Sequence, residues 1–350
     1  DPRLPWWFRL LDAAARPTRG LVRLDPDSLL LAARRRTGLR DFGDDRFVEP
    51  LSVLALTLDT ETGLTDVGRV MVRQLLVGLL ITRLRLGDLL DRYPEVHEGP
   101  IAAPIVILGL PRTGPPPLPG CLAADPALRS LPYWESLEPI RAVPTLPGER
   151  DPRIARAAAS LRFVNAVMPL FPAMHEMTAE GPHEEIQLLA VELSSMLFEA
   201  SYDVPSYRDW YQRTDQTPAY RVLRTLLQVL QWERGGERWV LKSPQHLEQL
   251  GPLRAVFPDA VLVQTHRDPV AVTASMATMA AYTRRRGGRH VGAGGVGQEW
   301  TDRIGGRVRA SVRDRASLGP DGATIDVRFG DFMADEDATI APAYDTAGQP

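Results

Sequence analysis

The segment that constrains this chain most is residues 103–120, APIVILGLPRTGPPPLPG. Its apolar run at 105–108 is β-branched and too short for a helix, so it reads as a fully buried strand. A strand buried on both faces belongs in a parallel sheet with covering helices. The run ends at Gly109, and Gly114 follows with Arg112 between them. A strand leading through a glycine-containing loop into a helix forms an anion site, because the first helical N–H groups are unpaired. Here Pro115, Pro116 and Pro117 occupy that position. Each proline removes one backbone donor.

At 350 residues the chain has room for one large α/β domain or two smaller ones. Its 44% hydrophobic and 24% charged content is ordinary for a globular protein. A net charge of −3 argues against non-specific nucleic-acid binding. Cys121 is the single cysteine, which excludes an internal disulfide and agrees with a reducing compartment. The N-terminal stretch lacks the basic-then-apolar layout of a signal peptide. The longest apolar run, 75–81, falls well short of the ~20 residues a transmembrane segment needs. These features predict a cytoplasmic protein. Trp6, Trp7 and Phe8, beside Arg9, are expected to pack onto the body rather than graze a membrane.

Helical signals dominate residues 24–95. Asp25 is placed to cap a helix that Gly38 ends, a second helix starts near Pro50, and a third spans 65–92. The arginines of the third, Arg69, Arg73, Arg83, Arg85 and Arg92, read as a solvated face. Beyond the first strand the pattern predicts a helix at 118–124, irregular chain over 131–150, and helices at 153–168, 184–198 and 217–232. The aromatic stretch 202–211 reads as a loop. Strands at 238–242, 260–266 and 324–329 then alternate with helices at 244–256, 270–280 and 299–316. A basic, glycine-rich loop covers 284–298, and an acidic tail begins at Asp335. Such alternation implies an α/β fold, P-loop-like and three-layered, with a central parallel sheet flanked by helices. The expected division is a helical N-terminal region over 1–100 and an α/β domain over 101–350, the latter with a helical insertion at 151–235.

Parallel sheets bind ligands at the carboxyl ends of their strands. Three strands here end in basic residues, Arg112, Lys242 and Arg267. Together they predict a pocket for a multiply charged anion such as a nucleotide. No Gly-Lys-Ser/Thr follows Gly109, which weighs against a kinase or ATPase phosphate loop. His175 and His183 have no partner at metal-ligand spacing, so no metal site is expected.

Four stretches carry a family resemblance: PIVILGLPRTG (104–114), ADPALRSLPYWES (124–136), WVLKSPQHL (239–247) and VFPDAVLVQTHRDPVAVTASM (256–276). They resemble the nucleotide-dependent sulfotransferases, specifically the bacterial branch common in actinobacteria, from about residue 24 to the end. The resemblance implies the donor 3′-phosphoadenosine-5′-phosphosulfate (PAPS), no metal, and a small-molecule or lipid acceptor with a hydroxyl or amine. A homodimer is allowed. It implies that Arg112, Thr113, Gly114, Pro115 and Pro116 meet the 5′-phosphosulfate, with Arg267 and Ser275 at the 3′-phosphate. Lys242 would lie beside the transferring group. The base is open between His246 and Glu184 or Glu185. The stretch 202–211 and the helices of 151–200 would line the acceptor side.

Two departures stand out. Pro115 and Pro116 replace the family's paired threonines, and the chain stops about where a last helix and glycine-containing nucleotide loop would be expected. A catalytically impaired homologue acting as a binding protein is therefore the second function implied. A hydrogen bond to a charged group contributes at least about 1.5 kcal/mol. Restoring two of them, with Pro115→Thr combined with Pro116→Thr, should raise affinity for 3′-phosphoadenosine 5′-phosphate about a hundredfold in calorimetric titration. Unchanged affinity would mean that the prolines do not limit the loop.

Overall fold

A computed structural model describes residues 4–113, 117–142, 148–289, 291–316 and 324–348. Five strands form one sheet: β1 Ile105–Gly109, β2 Leu128–Ser130, β3 Arg238–Lys242, β4 Val261–His266 and β5 Thr324–Arg328. Their order is β2-β3-β1-β4-β5, and every pairing is parallel. This is the α/β, P-loop-like architecture expected from the alternating pattern, joined by a helical N-terminal region.

The apolar run of β1 is buried because it is the middle strand with both faces covered. Val106 and Leu108 join Leu241 and Leu262 in the core on one side, beneath the helices Thr217–Arg234, Pro269–Arg284 and Ala293–Ala316. Ile105 and Ile107 join Val240, Val261 and Val263 on the other. Gly109 is required by close approach, since a Cβ there would stand 2.3 Å from Thr265 Oγ1. The chain leaves β1 for β2 and β3 on one side, then crosses to β4 and β5 on the other. The order therefore reverses between β1 and β4, which is where open parallel sheets take ligands.

The N-terminal helices Pro26–Thr37, Val48–Thr60 and Asp66–Arg92 share a second core with Phe198, Tyr207 and Tyr211. Asp25 caps the first through the Ser28 N–H, and Gly38 ends it at φ 76°. Arg83 departs from the expected solvated face. It is buried, ion-paired with Glu192 and stacked 4.3 Å from the centroid of Phe47. Burying a guanidinium requires such a partner.

Other elements differ from the sequence pattern. The predicted helix at 184–198 is broken into Ile186–Leu189, Ala190–Glu192 and Met196–Ser201, with Leu193 left-handed at φ 55°. The Gln245 side chain satisfies the break, accepting from the Met196 N–H at 2.9 Å and donating to the Ser194 carbonyl at 3.3 Å. The aromatic stretch is mostly helix, Pro205–Arg213, with Pro205 at its first turn. Tyr207 and Tyr211 lie four residues apart and face the N-terminal core, so they are core residues and not walls of an acceptor cleft. The predicted helix at 244–256 is interrupted at Gln249 (Pro244–Glu248, then Leu250–Val256). The glycine-rich stretch is not all loop: Ala293–Ala316 is helical, and Arg284 ends the preceding helix with both guanidinium nitrogens on Glu299 at 2.6 Å. The acidic tail folds as Glu336–Ala347, with Ala343 and Ala347 buried against the sheet.

Two glycines of helix Asp66–Arg92 make opposite predictions. A Cβ at Gly68 would meet the Gly287 carbonyl at 2.2 Å, whereas one at Gly78 meets nothing within 4 Å. Gly68→Ala should cost about 1–3 kcal/mol through overpacking and lower the Tm. Gly78→Ala should raise it by removing a helix-interior glycine. A thermal melt of both variants checks this, and equal shifts would contradict it.

Candidate functional site

The carboxyl ends of β3, β1 and β4 meet at one edge of the sheet. Ile107 is opposite both Lys242 and Val263, Gly109 is opposite Thr265, and His266 is opposite Arg328. Beyond Gly109 the chain turns at Arg112, which adopts φ 65°. A left-handed non-glycine residue costs roughly 1–2 kcal/mol. Arg267 offsets this by donating from Nη1 to the Arg112 carbonyl at 3.0 Å, and Arg112 Nε reaches Ser275 Oγ at 3.3 Å. Arg112, Arg267 and Ser275 thus form one cluster from β1, β4 and the helix Pro269–Arg284.

Among the described residues, neither Arg112 nor Arg267 has a carboxylate within ion-pair distance. Burial and the neighbouring Arg267 cation push the Arg112 guanidinium below its usual pKa. A half-buried Arg112 beside an exposed Arg267, neither of them ion-paired, has the chemistry of a candidate anion site. An open cavity of about 750 Å³ adjoins Arg267, lined also by Asp268, Arg328, Phe329 and Arg315, which is ion-paired with Asp326 at 2.6 Å. Arg267 lies 4.6 Å from the Phe329 ring centroid. This donor set fits a nucleotide bearing phosphate groups. Thr113 contributes differently from expectation, because its hydroxyl is buried and bonded to Thr265 Oγ1 at 2.8 Å and to the Leu110 carbonyl. Its side chain holds β1 to β4. Gly114, Pro115 and Pro116 lie outside the described residues.

The two adjacent carboxylates, Glu184 and Glu185, clamp Lys242 from both ends. Glu184 is ion-paired with Lys242 Nζ, and both side chains remain partly open, 15% and 28% exposed. Glu185 is fully buried and accepts the Lys242 backbone N–H at 2.7 Å. That N–H is free because β2 ends opposite Val240. Burial alone would raise the Glu184 pKa, but the Lys242 ammonium together with His175 and His183 outweighs it and holds the carboxyl below its usual value.

His246 is fully buried behind this clamp. Its Nδ1 lies 2.7 Å from Tyr220 Oη and its Nε2 3.4 Å from Glu185 Oε2. The 3-10 turn Pro244–Glu248, capped by Ser243, directs the ring inward under the sheet. Burial raises the Tyr220 pKa well above its usual value. The neutral Tyr220 hydroxyl and His246 Nδ1 share one hydrogen bond, in which either can be the donor.

The structure also brings His175 and His183 to Glu184, a grouping that metal-ligand spacing could not reveal. Their ring centroids are 6.4 Å apart, and His183 is edge-on to Tyr133 at 4.7 Å. Burial lowers the pKa of His175 and takes that of His183 down to about 4, so His183 is neutral at pH 7. Among the described residues, no group of three His, Cys, Asp or Glu side chains is arranged to hold a metal ion.

The sulfotransferase family model matches residues 104–350. The chain belongs to the sulfotransferase family. Among solved structures it is similar to the sulfotransferase STF1 of Mycobacterium tuberculosis, with 33% identity and a TM-score of 0.78 over 93% of this chain and 89% of that one. It is also similar to STF9 of Mycobacterium avium, with 27% identity and a TM-score of 0.83 over 93% and 84% of the two chains. Comparison with curated protein sequences finds no match.

Proposed function

We propose that this sulfotransferase-family member moves a sulfuryl group from PAPS to an acceptor hydroxyl, with Glu184 as the base. The observation that supports this reading is the division of labour between neighbouring carboxylates. Glu184 sits at the partly open end of Lys242, within electrostatic reach of Arg112, while Glu185 is enclosed with His246.

In this reading Arg112, Arg267 and Ser275 hold the donor's phosphate groups, and the donor supplies the sulfuryl group in line with the acceptor oxygen. As the new S–O bond forms, Glu184 takes the hydroxyl proton. As the old S–O bond to the phosphate breaks, Lys242 offsets the charge left on the phosphate oxygen. The protein's contribution is positioning and charge neutralisation. His246 is a positioning residue: it faces Glu185, which in turn fixes the Lys242 backbone. A binding-protein role is the second reading, favoured by the N–H donors that Pro115 and Pro116 lack.

A general base contributes about 10²–10⁴ in rate. Glu184→Gln should therefore lower kcat by at least about a hundredfold while leaving affinity for 3′-phosphoadenosine 5′-phosphate near wild type. His246→Gln should cost less and leave the shape of the pH profile unchanged. Because the Glu184 pKa is lowered, the base stays ionised until the pH falls below the ordinary carboxylate range. The acid limb of kcat should lie there, whereas an imidazole base would place it near ~6.5. Near-wild-type turnover in Glu184→Gln, or an acid limb near ~6.5, would contradict the assignment. Absence of turnover in the wild-type chain with donor bound would favour the binding role.

A further inference from the structure

The N-terminal helix Trp6–Ala15 packs on the body through one face only. Phe8 is buried with Val167, Met168 and Tyr282, and Trp7 leans on the same cluster. Asp12 accepts the Val67 N–H at 3.0 Å, which pins the helix to the start of Asp66–Arg92. The opposite face follows i, i+4, i+7 spacing through Trp6, Leu10 and Ala13. Trp6 is 67% and Leu10 59% exposed, and Leu21, just beyond the helix, is 79% exposed. Apolar side chains of this size on one turn-repeat do not contribute to the fold.

Charge accompanies this face. Residues 4–24 carry Arg9, Arg16, Arg19 and Arg23 against the single acid Asp12, in a chain whose net charge is −3. Arg9 projects from the exposed side and has no carboxylate partner among the described residues. Arg19 is committed to Asp66 at 2.7 Å and Arg23 to Asp25 at 2.8 Å, which leaves Arg9 and Arg16 for a partner. An outward face of Trp and Leu with arginines alongside has the composition that lies in the headgroup region of a bilayer, where anionic lipid complements the cations.

The same helix abuts the acceptor side. The cluster around Phe8 extends to Phe171 and Met174. Phe171 stacks edge-on to His175 at 5.9 Å, and His175 lies beside His183, next to Glu184 in the chain. A run of apolar and aromatic side chains thus connects the exposed helix with the Glu184–Lys242 pair.

We propose that the outward face of helix Trp6–Ala15 docks the protein on an anionic lipid bilayer, so that an amphiphilic lipid hydroxyl is presented to Glu184. The choice of a lipid as acceptor rests on the transferase reading above. The docking does not, because it is read without catalysis. No helix among the described residues is long and apolar enough to cross a membrane, so the attachment is peripheral and reversible.

Sedimentation with extruded phosphatidylcholine vesicles, with and without phosphatidylglycerol, tests this. Wild type should bind the phosphatidylglycerol vesicles, and added sodium chloride should weaken that binding. Trp6→Ala combined with Leu10→Ala should lower the partition coefficient about tenfold or more, as should Arg9→Glu combined with Arg16→Glu. Leu56→Ala, at an exposed leucine of helix Val48–Thr60, should bind as wild type. Failure of the wild type to sediment with anionic vesicles would overturn the proposal, as would full binding by the Trp6/Leu10 variant. So would a lipid-free dimer, seen by light scattering, that the Trp6/Leu10 variant abolishes, since a second copy would then cover the face. Thermal melts keep the test sound: both apolar side chains are exposed, so their loss should leave the Tm unchanged. Donor titration of the same variant separates the two claims, because intact nucleotide binding with lost vesicle binding bears on docking alone.

Discussion

The site depends on a carboxylate that water does not reach. Glu185 is fully buried at the end of β3, and an isolated buried charge costs several kcal/mol. It accepts the Lys242 N–H, and the His246 ring lies 3.4 Å from its other oxygen. The N–H is available because β2 ends opposite Val240, two residues before Lys242. This fixes the backbone of Lys242, and only then can Glu184, the next residue back in the chain, meet the lysine ammonium at the open side. One strand end, two adjacent glutamates and one inward histidine convert a flexible lysine into a positioned one.

The sheet supplies the second half of the arrangement. Reversal of strand order between β1 and β4 creates the crevice, and the close approach at Gly109 lets Thr265 and Thr113 tie the two strands at their ends. Arg112 is left in a conformation that its own backbone disfavours, held by Arg267. In the proposed reading, a phosphate-bearing ligand would offset the strain of that turn and the repulsion between the juxtaposed cations. The buried ion network behind the crevice, in which Arg303 and Arg307 meet Glu199 and Glu248, holds helix Ala293–Ala316 against the turn that carries His246.

Much of this was legible in the sequence because it follows from local pattern. The β-branched runs at 105–108 and 260–266 could only be buried strands, and basic residues directly after them could only lie at the sheet's carboxyl edge. Long-range effects were not legible. Nothing local shows that Arg83 faces Glu192 rather than water, since helical spacing gives the face but not the neighbour. The direction of His246 depends on a 3-10 turn in place of an α-helical one, and the break after Glu192 depends on Gln245, remote in sequence. The aromatic stretch misled for a related reason: Pro205 looks like a loop residue but opens a helix, and Tyr207 and Tyr211 at four-residue spacing fill a core. The acidic tail beyond Asp335 has few apolar residues, yet Ala343 and Ala347, with Ile340 and Tyr344 beside them, seat a helix against the sheet.

Arg112 and Arg267, neither of them ion-paired among the described residues, are proposed to hold the donor nucleotide. Calorimetric titration of 3′-phosphoadenosine 5′-phosphate into the wild-type chain and into Arg267→Ala tests this directly. A charge-assisted contact contributes about 1.5–3 kcal/mol, so the variant should bind at least about tenfold more weakly with its Tm preserved. Equal affinity in the two proteins, or no binding by wild type at high ligand excess, would contradict the assignment of this sheet edge as the donor site.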